Sequence, residues 1–446
     1  MLSFKVKNLG RIAEADFTAA PLTILVGQNN TGKSYLASLI WLLAKPEVAP
    51  FTDTKNTGVK WLDVLIGRFE KDGQDAVVKY SVGQEQASQC VEYLQSLYQE
   101  RFADLLRRLF SYEGFEESSI QLRLSNEFEP FDISISRTSP GGGDAKLSER
   151  QHYVLVKFSA DGKTLRQFRF PSSRKYPRNL YIHRVLFECA ALALFGYDWP
   201  SYRSPVYIPA ARTGLMLTMR SLIAERLDFD TDRETVLPLP IADFVSTFIR
   251  AGAFAPKAKA PVARWLEDTV LNGTLNVGEE EIPSFTYVPA HSSREVPLHA
   301  TSSMITEIAP FIHLIKYNAG GHFIFEEPEA HLHLSAQRQM ARAIARLLND
   351  GAKFTITTHS DTFIQQINNL MRLHGHPDRE ALLTQYGYDE NDVIDPNRTR
   401  AYEFVQTSNG TKITELNRTE EGFVVPSLNE TLISLTQETI EFNEDE

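Results

Sequence analysis

The chain has 446 residues, 42% hydrophobic and 23% charged, a soluble globular composition with room for two to four domains. Its net charge of −11 argues against a broadly basic nucleic-acid surface, though a local patch survives that total, and no apolar run approaches a membrane span. Two cysteines, Cys90 and Cys189, sit in apolar helical stretches without metal-type spacing, which together with a strand-like N-terminus lacking a signal segment points to a reducing, cytoplasmic location.

In chain order, Phe4-Lys5-Val6 and Ala13 to Phe17 read as strands around a turn at Asn8-Leu9-Gly10. Leu22 to Val26 is a short apolar, β-branched run that reads as a buried strand. Gly27-Gln28-Asn29-Asn30-Thr31-Gly32-Lys33-Ser34 follows, a complete G-x-x-x-x-G-K-S phosphate-binding loop, and Tyr35 to Leu43 reads as a helix. Backbone N–H groups of such a loop form an anion nest, and the helix N-terminus adds positive potential. Lys33 reaches the β- and γ-phosphates of ATP in this pattern, and the Ser34 hydroxyl ligates Mg²⁺.

Residues 51–204 have a different texture. The spacing predicts a long amphipathic helix over Gln84 to Phe110, with Val91, Leu94, Leu97, Phe102, Leu105 and Leu109 near one face. Strands are expected at Ser119–Leu124, Phe131–Ser136, His152–Phe158 and Thr164–Phe170, with turns at Gly141-Gly142-Gly143 and Asp161-Gly162. A helix follows over Asn179–Leu194. This block reads as an α+β insertion.

The α/β texture resumes at the strand Val206-Tyr207-Ile208, which runs into Pro209-Ala210-Ala211-Arg212-Thr213-Gly214; Arg212 there suits an interface or phosphate contact as well as a capped turn. Helices are expected at about 215–228, 238–250, 258–271 and Ser303–Tyr317, then the strand Phe323-Ile324-Phe325, helix Leu334–Leu348, strand Phe354–Thr357 and helix Asp361–Leu373. A hairpin (Tyr402–Val405 with Lys412–Leu416) and a helix over Ser427–Phe442 close the chain.

The strand 323–325 ends in Glu326-Glu327-Pro328. A P-loop ATPase needs an acid at the tip of a strand beside the loop to hold Mg²⁺, and a second group to orient and deprotonate water. Glu326 is assigned to the Mg²⁺ shell and Glu327 to the water. Glu329, His331 and His333 do not share a helix face and are set aside as a metal site.

Glu326-Glu327-Pro328-Glu329-Ala330-His331-Leu332-His333 resembles the Walker B and D-loop segment of ABC-type ATPases, most closely the overcoming-lysogenization-defect (OLD) nucleases and SMC/Rad-like repair ATPases. Thr357-Thr358-His359-Ser360 resembles their switch-histidine step, and Ala300 to Glu307 stands where their signature stands, without its glycines. The resemblance covers about residues 1–45 and 205–375. It implies an ABC-type ATPase head built from 1–50 and 205–375, the insertion at 51–204, and a C-terminal hairpin and helix over 376–446. It further implies hydrolysis of ATP with Mg²⁺ between two heads. The signature serines, Ser302 or Ser303, would cap the γ-phosphate held by the partner's P-loop, and His359 would contact that phosphate in cis.

About 85 residues follow His359, too few for the Toprim nuclease domain of OLD proteins, and the long heptad arms of SMC proteins are missing. The resemblance implies a dimerising ATPase switch or sensor that controls a separate effector, a nuclease, in anti-phage defence. The alternatives are a DNA-repair type ATPase that contacts DNA directly and an ATP-binding assembly scaffold.

Overall fold

In the computed structural model, the described residues are 2–45, 57–71, 77–126, 128–138, 153–171, 178–196, 205–218, 237–251, 260–278, 284–317, 321–420 and 422–444. They build an α/β architecture around one nine-stranded sheet. Its order is Ser119–Arg123, Ser3–Leu9, Ile12–Thr18, Gly410–Glu415, Thr399–Thr407, Leu22–Gly27, Lys353–Thr358, His322–Glu326, Val206–Ile208. The last five strands are mutually parallel, and the other end of the sheet is largely antiparallel.

The parallel strands Leu22–Gly27, His322–Glu326 and Val206–Ile208 are buried along their length because both faces are covered. Leu22, Ile24, Val26, Val206, Ile208, Phe323 and Phe325 enter one core. Their alternates Leu25, Tyr207 and Ile324 enter the other. This is the period-two alternation of a strand expressed as two separate cores. Each such side chain contributes about 1.5–3 kcal/mol of burial.

The P-loop helix Lys33–Leu43 packs in the first core with helices Lys60–Lys71, Gln84–Phe110 and Arg178–Phe195. The opposite core holds Leu239–Ala251, Ser303–Lys316, Leu334–Asn349 and Asp361–Arg372. A four-stranded antiparallel sheet (Val78–Val82, Phe131–Thr138, Tyr153–Ala160, Lys163–Pro171) completes the α+β block.

Several placements differ from the sequence reading. The hairpin assigned to the tail is central: Thr399–Thr407 pairs in parallel with the P-loop strand, and Gly410–Glu415 continues the sheet. Ser119–Arg123, within the insertion by sequence, is an edge strand of the main sheet. Both placements rest on pairings between distant segments, which local periodicity does not encode. The helix Lys60–Lys71, the strand Val78–Val82 and a small sheet over Gly273–Val277, Phe285–Pro289 and Val296–Pro297 had no prediction. The glycine turn at 141–143 and most of the helix at 215–228 lie outside the described residues.

Candidate nucleotide site

The P-loop sits where the sequence reading put it, between the strand Leu22–Gly27 and the helix Lys33–Leu43. Its backbone explains its glycines. Gly27 has φ +147°, and a Cβ there would stand 2.5 Å from the Phe404 carbonyl oxygen of the neighbouring strand. Gly32, the helix N-cap, has φ +97°. Asn30 also adopts a left-handed conformation, φ 63°, which Asn tolerates better than most residues. Thr31 Oγ1 donates to the Gln28 carbonyl at 2.8 Å. Lys33 Nζ donates to the Gly27 and Gln28 carbonyls, each at 2.7 Å, so the lysine braces its own loop.

Lys33 is buried, and burial lowers its pKa; Glu327, Glu329 and Glu326 oppose that shift through their charges. All three acids therefore share the lysine's field.

Glu326 ends its strand at 6% exposure. Its Oε2 accepts from the Ala210 N–H at 3.2 Å. Burial raises its pKa, while the Ser34 and Tyr207 hydroxyls and the Ala210 N–H pull it down. The strand is one removed from the P-loop strand in the sheet. Lys353–Thr358 lies between them, in register with both (Glu326 beside Thr357, Thr358 beside Val26). The acid nonetheless reaches the Ser34 neighbourhood.

Glu327 is half-buried and adopts φ +44°, a strained region for a non-glycine residue. Its N–H donates to the Thr357 carbonyl at 2.9 Å and its carbonyl accepts from Arg212 Nη2, also at 2.9 Å. Its Oε1 lies 3.7 Å from His359 Nδ1. His359 follows the strand Lys353–Thr358, and its half-exposed ring stands 3.8 Å from Glu329 Oε1 as well.

Glu329 does structural work beside the site. It is 4% exposed, accepts from the Thr358 hydroxyl at 2.6 Å and the His359 N–H at 3.0 Å, and burial raises its pKa. His333 caps the helix Leu334–Asn349, with Nδ1 accepting from the Ser335 N–H at 3.3 Å.

Ser302 is the N-cap of the helix Ser303–Lys316, yet its side chain makes no capping hydrogen bond. Ser302 and Ser303 are both exposed. Their helix occupies the core on the far side of the sheet from the P-loop helix.

Of the two readings the sequence left open for Arg212, the structure favours the turn: at 1% exposure it is buried away from any partner surface. It donates to the carbonyls of Pro209 (3.1 Å), Glu307 (3.1 Å), Glu326 (2.8 Å) and Glu327 (2.9 Å), and pairs with Glu307 Oε1 at 2.7 Å. Glu307 was not foreseen. The available signal was a lone acid in the mostly apolar run Ile305 to Ile315.

Sheet, loop and strand-end acids together define a P-loop α/β protein. Residues 256–364, which hold Glu326, Glu327 and His359, match the AAA ATPase domain family. Similar solved structures are SMC heads. One is bound to the C-winged helix domain of ScpA (12% identity over 93% of this chain and 97% of that one, TM-score 0.38). A second is the SMC head domain from Thermotoga maritima (9% identity, 94% and 100% covered, TM-score 0.33). A third, derived from Pyrococcus furiosus, has an extended coiled coil and is bound to the C-terminal domain of ScpA (11% identity, 98% and 98% covered, TM-score 0.35). No curated protein matches the chain. Among the described residues, no helix is long and apolar enough to cross a membrane.

Proposed function

We propose that the protein is a Mg²⁺-dependent ATPase whose heads close in pairs around ATP. One observation carries this reading: Lys33, Glu326, Glu327 and His359 converge at one end of the sheet, with the buried Glu326 carboxylate beside the Ser34 hydroxyl. A buried carboxylate is costly unless its charge is compensated. That donor set fits a hydrated divalent cation: Ser34 and Glu326 would hold Mg²⁺, which when bound supplies charge neutralisation at the β- and γ-phosphates.

The chain's own groups then divide the work. The loop N–H groups of Gly27 to Ser34 cradle the phosphates, and Lys33 exchanges its two carbonyl partners for phosphate oxygens. Glu327 accepts a proton from water as the water oxygen bonds to the γ-phosphorus and the bond to the β-phosphate oxygen breaks. His359 steadies that carboxylate and the γ-phosphate in cis.

Ser302 and Ser303 support the two-head part of the reading. They are exposed hydroxyls at an uncapped helix N-terminus, an anion site in chemical terms. Their helix packs on the sheet face opposite the P-loop helix, so a second copy is the natural source of the phosphate they would meet. Control of a separate effector, a nuclease, in anti-phage defence extends this reading through the motif resemblance alone.

The test is Lys33→Ala with ATP binding and steady-state hydrolysis measured together. Loss of either supports the reading. Wild-type affinity and turnover would refute it.

A further inference from the structure

The P-loop reading leaves a buried ion pair unused. Arg212 and Glu307 are each 1% exposed, and removing two charges from water is costly. The guanidinium is closed off from solvent. It lies behind the strand-end acids, 4.9 Å from the centre of the Phe325 ring, and donates to the carbonyls of both Glu326 and Glu327. Its partner Glu307 lies four residues beyond Ser303, one turn into that helix. The Thr213 hydroxyl donates to the second Glu307 oxygen.

Glu327 needs such a clamp. Its left-handed backbone persists only if its surroundings over-determine it. The Thr357 carbonyl holds it from the N–H side and Arg212 from the carbonyl side.

We propose that Arg212 and Glu307 are positioning residues that lock Glu327 in its aimed conformation and fasten it to the helix led by Ser302 and Ser303. The helix end and the Glu327 turn then move as one piece, so an anion bound at the serines is felt at the base. This role rests on the ATPase reading for its catalytic consequence, but the clamp itself is a property of the fold.

The experiment is amide hydrogen exchange on the nucleotide-free protein, paired with steady-state ATPase kinetics, for wild type, Glu307→Gln and Arg212→Lys. Exchange at Glu327 to His331 is expected to accelerate on the order of tenfold or more in both variants, with the P-loop peptide 27–34 unchanged. The kcat is expected to fall by at least about tenfold while KM stays within about twofold. Thr213→Val, which removes a single bond to Glu307, gives the same pattern in weaker form and serves if the charge variants do not fold. Unchanged exchange at 327–331, or equal acceleration in the P-loop peptide, would overturn the proposal. So would unchanged kcat in an active enzyme. A wild type that hydrolyses no ATP would instead sink the ATPase reading, and the exchange result would still decide the clamp.

Discussion

Gly27→Ala isolates the contact that joins the P-loop to the C-terminal strand. The added Cβ would stand 2.5 Å from the Phe404 carbonyl oxygen and 3.1 Å from the Phe404 Cβ. The nearer obstacle is backbone, so no rotamer change relieves it. The two strands must separate, or the loop must leave its φ of +147°. Such a backbone conformation costs an alanine about 1–3 kcal/mol, and overpacking of this kind costs about 1–3 kcal/mol more. Gly351→Ala is the control, because Gly351 has φ +84° with nothing within 4 Å of its Cβ position and would bear the conformational cost alone. Thermal unfolding and titration with a fluorescent ATP analogue measure both consequences. If the loop yields, the Kd rises by about tenfold for each 1.4 kcal/mol lost there. If the strands yield, the Tm falls, by about 1 °C per kcal/mol for a chain of this size. Gly351→Ala should show only the smaller Tm drop and normal binding. Wild-type Tm and Kd in Gly27→Ala would refute the close approach of the two strands.

Two further outcomes follow from the site. Glu326→Gln should stabilise the nucleotide-free protein at neutral pH while abolishing Mg²⁺-dependent hydrolysis. An unfolded glutamate ionises near 4.3 and the buried one only at higher pH, so the charge penalises folding above the unfolded value. The gain in Tm should therefore vanish as pH falls below the ordinary carboxylate range, and a neutral-pH Tm below wild type would contradict it. Ser303→Arg should cut hydrolysis by about tenfold or more while ATP affinity holds within about twofold. Mixing it with Lys33→Ala chains should restore at most one composite site per heterodimer, and normal turnover by Ser303→Arg at low protein concentration would remove the trans role.

What was legible in the sequence was local. Gly27 to Ser34 lies between its strand and helix, and Gln84 to Phe110 is one helix, because phosphate-loop spacing and 3.6-residue periodicity are short-range signals. The strand ending at Glu326 and the step at His359 were legible for the same reason. The hairpin Tyr402 to Leu416 was visible as a hairpin, but not its place beside the P-loop strand. Parallel pairing across nearly the whole chain leaves no mark on neighbouring residues. Arg212 illustrates the limit at the site. After a strand it suits a contact or a capped turn equally, and only the burial of Glu307 against it decides between them.

The most direct measurement is the mass in solution of Glu327→Gln with ATP and Mg²⁺, by size exclusion with light scattering, beside its rate of hydrolysis. The amide keeps the shape of the side chain and loses the base. The account predicts normal ATP binding, hydrolysis reduced by at least about a hundredfold, and a stable species at twice the 50.4 kDa protomer mass that forms only with nucleotide. Wild-type turnover, or a mass that ATP does not change, would contradict it.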